Sequence, residues 1–239
     1  MKSRFITAAL LIGAVAVSSS CVVRVNGTRL RDELGLDGKN IVIDVDGSEQ
    51  EVREVALEEF DEISTKGPID VYFFYSEESK AEVRAQKSVI DLIKVEQSGR
   101  TVTIGTENNV RIVNHGNGIR VNVYSPSVKE IALAGSGSIN AERIDEDRFK
   151  AALAGSGDIN IDALTASKAD LSVAGSGDVK VRVDAAQVEA AVAGSGDIVI
   201  SGKADKLDAA VAGAGDIDIR NLECDSVSTS VKGAGKVRR

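Results

Sequence analysis

From Glu130 to the end of the chain, apolar residues alternate with polar ones over short stretches, and glycines interrupt the alternation at regular intervals. In the unit from Asp158 to Gly177, Ile159 and Ile161 alternate with polar neighbours, Leu164 and Ala166 follow, and Leu171 and Val173 alternate again before the glycines. This is strand periodicity broken by corners. Neighbouring units repeat it with Ile198, Ile200, Leu207 and Val211, and with Ile217, Ile219, Leu222 and Val231. The interrupting phrase reads AGSG at Ala134, Ala154, Ala174 and Ala193, AGAG at Ala212 and KGAG at Lys232. Its first glycines are Gly135, Gly155, Gly175, Gly194, Gly213 and Gly233, in steps of 20, 20, 19, 19 and 20 residues.

Short strands with one glycine corner per 20 residues predict a solenoid, in which each turn buries its apolar positions only by stacking on the next. The predicted fold is all-β, a right-handed parallel β-helix whose equivalent positions lie one strand spacing, about 4.8 Å, apart. At each corner Gly-x-Gly supplies positive φ without Cβ strain and keeps adjacent layers from colliding. Leucine-rich repeats share the period, but their leucine and asparagine ladder is absent. A phosphate-cradling loop would sit between a strand and a helix, once per site, whereas this phrase recurs among strands.

Upstream the pattern is less regular. Strands are predicted at 40–46, 51–57, 68–76, 80–86, 101–106, 110–113 and 118–124, with 88–95 either a short helical turn or a strand. Glu62 to Val71 resembles Glu130 to Ala141 with the turn shortened by two residues. Residues 40–128 therefore read as irregular turns of the same β-helix, with a separate domain as the alternative, and 129–239 as its regular Gly-Ser-Gly turns.

The N-terminus adds a destination. Lys2 and Arg4 precede a 13-residue apolar run, Phe5 to Val17, then small residues and Cys21. That run is too short to span a bilayer and has the proportions of a secretory signal, residues 1–20. Cys21 at its end resembles the acylated cysteine of bacterial lipoproteins, although Ser18 stands where leucine is usual. Lipid on Cys21 implies an envelope protein, an outer-membrane lipoprotein facing the periplasm or the surface, with 21–39 as its tether. Ordinary cleavage after Ala14-Val15-Ala16 is the alternative.

Removing Lys2 and Arg4 with the signal takes the formal charge from −8 to −10. Such acidity opposes binding to nucleic acid, and leaves the lipid as the contact with a membrane. Cys224, the other cysteine, falls in a column of small residues with Ala166 and reads as a small buried hydrophobe.

Candidate chemistry is sparse. Asp158, Asp178, Asp197 and Asp216 each follow a Gly-x-Gly, which allows a calcium ladder. Calcium-binding β-helix repeats are nine residues long, however, and an aspartate accepting backbone N–H bonds at its corner explains the column without a metal. No cofactor is implied. His115 lies in a polar, glycine-flanked loop and reads as a solvated turn. Tyr72 and Tyr75 are candidates for stacking against a sugar, although part of their cluster belongs in the core. Lys232, Lys236, Arg238 and Arg239 read as a cap that discourages end-to-end pairing.

Phe60 to Ile63, then Gly67 and Ile69-Asp70-Val71, then Ser125-Pro126-Ser127-Val128 leading into the repeats, together resemble the head GIN domain family of auto-transporter adhesins. The resemblance spans roughly 54–237 and implies a parallel β-helix at the bacterial cell envelope, without catalytic residues. The expected function is non-enzymatic adhesion, binding or scaffolding toward a protein or glycan partner. A polysaccharide-active enzyme on the same scaffold is the alternative.

Overall fold

The computed structural model describes residues 21–24, 41–45, 49–107, 110–114 and 118–239. His115 lies outside them. The irregular half contains β1 (Cys21–Arg24), β2 (Ile41–Val45), β3 (Gln50–Ala56), β4 (Glu62–Lys66), β5 (Asp70–Tyr75), β6 (Lys80–Gln86), β7 (Ile93–Ser98), β8 (Thr101–Thr106), β9 (Val110–Asn114) and β10 (Arg120–Ser125). The repeats form β11 (Glu130–Gly135), β12 (Ser138–Ala141), β13 (Ile144–Gly155), β14 (Asp158–Gly175), β15 (Asp178–Gly194), β16 (Ile198–Gly213), β17 (Asp216–Gly233) and β18 (Lys236–Arg238). The ambiguous 88–95 stretch divides into a 3-10 turn, Ile90–Leu92, and the start of β7.

From β11 to β18 the strands pair in parallel with their equivalents about 20 residues on, forming the predicted β-solenoid. In β14 the buried positions are Ile159, Ile161, Leu164, Ala166, Ala169, Leu171 and Val173. Their spacing is two within a side and three where the chain turns, which gives each coil three sides: one after the glycines, a short side, and one before the next glycines. Stacked columns such as Ile159, Val179, Ile198 and Ile217 fill the interior. A single large ring interrupts the aliphatic repeats, Phe149, which stacks on Ala169 so that bulk in one layer meets a small residue in the next.

The two glycines of a corner have different tasks. Gly175 has φ +140°, and a Cβ there would lie 2.2 Å from the Gly155 carbonyl oxygen. Gly177 has no such φ, yet its Cβ would come within 2.0 Å of the Gly157 carbonyl oxygen. That closeness follows from the hydrogen bonding, since the Gly155 carbonyl accepts from the amides of both Ser176 (2.8 Å) and Gly177 (3.1 Å). Changes between 20- and 19-residue steps are absorbed elsewhere. Between β14 and β15 the register shifts where Asp162 and Ala163 oppose Arg182 alone, and between β16 and β17 it shifts back near Ile219 and Arg220. Both shifts fall at the corner entering the short side, so the glycine corner keeps its geometry.

Strands β3 to β8 and β10 of the irregular half continue the same sheet, whereas β1, β2 and β9 form a separate three-stranded parallel sheet. Strand β4 lies under β11 and β5 under β12, and beneath them β8 and β10 add a further parallel layer. Antiparallel β7, β6 and β3 then finish that end. The turn of this coil is not shortened by two residues as its sequence suggests, because Glu62 pairs with Glu130 and Asp70 with Ser138. Ile69 occupies the position of Gly137. A side chain fits there because the layer beneath leaves the glycine-corner path, with Ile119 supplying the carbonyl that accepts from the Asp70 amide.

The excursion between β5 and β11 is fastened by a few polar side chains. Ser125 Oγ donates to the Phe60 carbonyl (3.0 Å), and Glu146 Oε1 accepts from the Val128 amide (3.0 Å) and the Ser127 hydroxyl. Asp61, at the mouth of β4, is buried and meets Arg100 at 2.9 Å and Lys129 at 3.0 Å. The hydrogen bond from Arg100 outweighs desolvation and, with Lys129, holds the Asp61 carboxyl below its usual range. A carboxylate with a depressed folded-state pKa stabilises above its unfolded pKa, and the contribution is lost as pH falls through the folded value. Asp61→Asn should therefore melt below wild type at pH 7, with the gap closing as the pH falls below the ordinary aspartate value of 3.8. A gap of constant size in melts across that range would refute the assignment.

At the other end β18 covers only the first residues of β17. Among the described residues no strand pairs above Asn221 to Gly233. Cys224 is accordingly half-buried, although Ala166, Ala185 and Ala204 of its column are buried. It differs from the buried hydrophobe expected because no coil lies on top of it. Lys232 stands on this open edge, as expected of a guarding charge.

Candidate binding face

The aspartate column lies on the outer surface of the side after the glycines. The Oδ1 atoms of Asp178, Asp197 and Asp216 accept the backbone amides of Asp197 (3.0 Å), Asp216 (2.8 Å) and Lys236 (2.8 Å). Each carboxylate thus reaches into the next coil, where an Asx-turn would have kept it within its own corner. Asp158 stands in the same column, exposed, with its amide donating to the Gly137 carbonyl. Among the described residues no three His, Cys, Asp or Glu side chains cluster for a shared metal ion. Cys21 opens β1, which pairs with β2 from Cys21 opposite Ile41.

Followed toward the irregular end, the column runs from Asp158 to Ser138 and Asp70, and then changes sign to Arg120 and Arg84. Asp70 repeats the ladder bond, its Oδ1 accepting from the Ser138 amide (3.1 Å) and hydroxyl (2.9 Å). Beside this row the same face carries two of the protein's three tyrosines, Tyr72 and Tyr124. Alternation along β5 turns Val71 and Phe73 into the core and leaves Tyr72 and Phe74 outside. Tyr124 of β10 stacks on Phe74 with centroids 5.5 Å apart, and Tyr75 is 65% exposed at the strand end.

Cations and amides surround the rings. The Arg120 guanidinium lies 3.7 Å from the Tyr72 centroid, and Lys80 Nζ lies 5.3 Å from that of Tyr124. Glu82 is reached by Lys80 (3.3 Å), Arg84 (3.6 Å) and the Tyr124 hydroxyl (3.4 Å). Burial pushes the Glu82 carboxyl up, but Lys80, Asn122 and Arg84 outweigh it and leave the group below its ordinary range. On the far side of Tyr72, Asn140 donates to Ser138 Oγ and Asn160 to Asn140 Oδ1, starting an amide ladder. The face thus offers aromatic surface, cations and paired amides on a rigid sheet.

A family model described as "Putative auto-transporter adhesin, head GIN domain" matches residues 59–181 and 162–238. The chain belongs to this family. Among solved structures, the GIN domain is similar to a "putative lipid binding protein" of Parabacteroides distasonis ATCC 8503, at 23% identity and TM-score 0.70, over 82% of this chain and 98% of that one. It is also similar to a "putative adhesin" of Bacteroides fragilis NCTC 9343, at 21% identity and TM-score 0.62, over 80% and 97%. These likenesses are of fold. A search of curated proteins finds no match.

Sequence reasoning placed Tyr72 and Tyr75 among possible sugar contacts, and the structure adds Tyr124, Arg120 and Arg84. Those three were missed because each is brought to Tyr72 or its neighbours by strand pairing across more than ten residues. The recurrence of asparagine at 140 and 160 was a legible signal, since one repeat position one coil apart must share a face. Elsewhere, an open trough of about 490 Å³ follows the corner leaving the short side, lined by Asp145, Asp147, Asp184, Asp205 and Lys203 over an alanine floor. Its carboxylates are exposed to solvent.

Proposed function

We propose that this GIN domain is a non-enzymatic binding protein of the bacterial envelope, attached through lipid on Cys21 and engaging a protein or glycan by the tyrosine-bearing face. The observation that carries the reading is the gathering of Tyr72 and Tyr124 with Arg120, Arg84 and Lys80 on one rigid outer face, with Tyr75 exposed at the end of the same strand as Tyr72. Tyrosine and arginine dominate recognition surfaces because they offer large contact area with few rotors and well-directed donors. Three of the four repeated aspartates, by contrast, accept backbone amides of the next coil, an architectural role. The family description as an adhesin head supports the same reading.

The test has two arms. Cells fed labelled palmitate should incorporate label into wild type and none into Cys21→Ala. Immobilised protein, presented with polysaccharides and matrix proteins, should retain at least one of them at unchanged chain length. Shortening of any retained polymer would replace the binding reading with an enzymatic one, and palmitate incorporated equally by Cys21→Ala would remove the anchor.

A further inference from the structure

Arg84 and Arg120 are direct cross-strand partners in the antiparallel pairing of β6 with β10. Their neighbours Val83 and Val121 are buried, so both arginines stand on the outer face. Like charges directly opposite each other on a sheet are destabilising unless something lies between them. Arg84 is half exposed and, among the described residues, its one ion pair is with Glu82, at 3.6 Å, which Lys80 also engages. No carboxylate among the described residues lies within 4.0 Å of the Arg120 guanidinium. Asp70 is the register neighbour of Arg120 on its other side, but its Oδ1 is engaged by Ser138. Arg120 instead lies over the Tyr72 ring, with its Nε donating to Asn122 Oδ1 at 2.8 Å, and among the described residues its remaining donors have no hydrogen-bond partner.

We infer that the Arg84–Arg120 pair beside Tyr72 binds the carboxylate of an acidic sugar within a glycan, an assignment that rests on the binding function proposed above. A planar carboxylate matches the guanidinium fork and relieves the repulsion between the two arginines. The Arg120 guanidinium stacked on the Tyr72 ring offers a weakly hydrated platform with apolar ring edge around it, suited to the C–H face of a pyranose. The next coil supplies Asn140 and the one after it Asn160, half-buried amides at about 4.8 Å spacing that can exchange hydrogen bonds with successive hydroxyls. A protein partner needs no such run of amides behind one carboxylate site.

Calorimetric titration of the purified protein decides the matter. The probes are oligogalacturonate, oligomannuronate, hyaluronan oligosaccharide and sialyllactose, each alongside its carboxyl-reduced counterpart. At least one acidic probe should bind, and its reduced form should bind about tenfold more weakly or worse. Arg120→Ala should lose affinity to the same extent with its melting temperature unchanged, while Arg120→Lys should fall between the two, keeping the charge without the fork. Absence of binding across the panel, equal affinity for reduced probes, or an Arg120→Ala variant that binds like wild type would each overturn the inference. Retention of a neutral polymer or a matrix protein by the same face would overturn it too, while leaving the binding function standing.

Discussion

Gly177→Ala should destabilise the protein by at least ~3 kcal/mol, the upper end of what overpacking ordinarily costs. The added methyl would sit 2.0 Å from the Gly157 carbonyl oxygen and 2.9 Å from Leu153 Cδ2. A side chain can change rotamer, but that carbonyl is held by the Asp178 amide at 3.2 Å, so relief requires the coils to separate. For a domain of this size the melting temperature should fall by roughly 6–12 °C. Gly67→Ala is the control. Its φ is +89°, but nothing lies within 4 Å of a Cβ there because the regular corner has no counterpart beneath it. Only the left-handed backbone penalty of about 1–2 kcal/mol should remain. Equal losses in thermal melts of the two variants would mean that coil spacing is not set at the second glycine.

Phe149→Ala should cost about 3–5 kcal/mol, measured as a shift in denaturant midpoint. Phe149 is 1% exposed and its partner in the next layer is Ala169, which cannot expand into the space. Most columns of the solenoid repeat aliphatic residues of similar size, so a neighbouring coil has no spare bulk to collapse inward. A loss below about 1 kcal/mol would show that the layers relax far more freely than parallel pairing along the whole strand suggests.

The regular coils were legible because each solves the same packing problem with the same residues. Ile159 and Val179 occupy one column, and the glycine phrase marks where it restarts. What escaped was what does not repeat. The coil at Glu62 was misaligned because Ile69 stands where later coils have glycine, and matching isoleucine to Ile139 invited a gap that the hydrogen bonds do not contain. The strands β3 and β6 were legible by alternation, but antiparallel β3, β6 and β7 carry no 20-residue repeat, and their partners are chosen by the edges left open at that end of the sheet.

The same limit governed the binding face. Alternation along Asp70–Tyr75 divides inner from outer rings, but which outer ring meets which cation depends on the pairing of β10 between β5 and β6. The aspartates drew attention through repetition, and their repetition reflects the backbone amide each accepts from the coil above. Function is sought where that regularity ends, in the step from Asp70 to Arg120 and Arg84.

The most direct measurement compares retention of a bound polymer or matrix protein by two double variants, Tyr72→Ala/Arg120→Ala and Asp178→Asn/Asp197→Asn. The face account predicts that the first loses retention with its melting temperature unchanged and that the second retains as wild type does, since asparagine keeps the Oδ1 acceptor of the ladder. Retention that survives the first pair and disappears with the second would place recognition on the aspartate column and contradict the account.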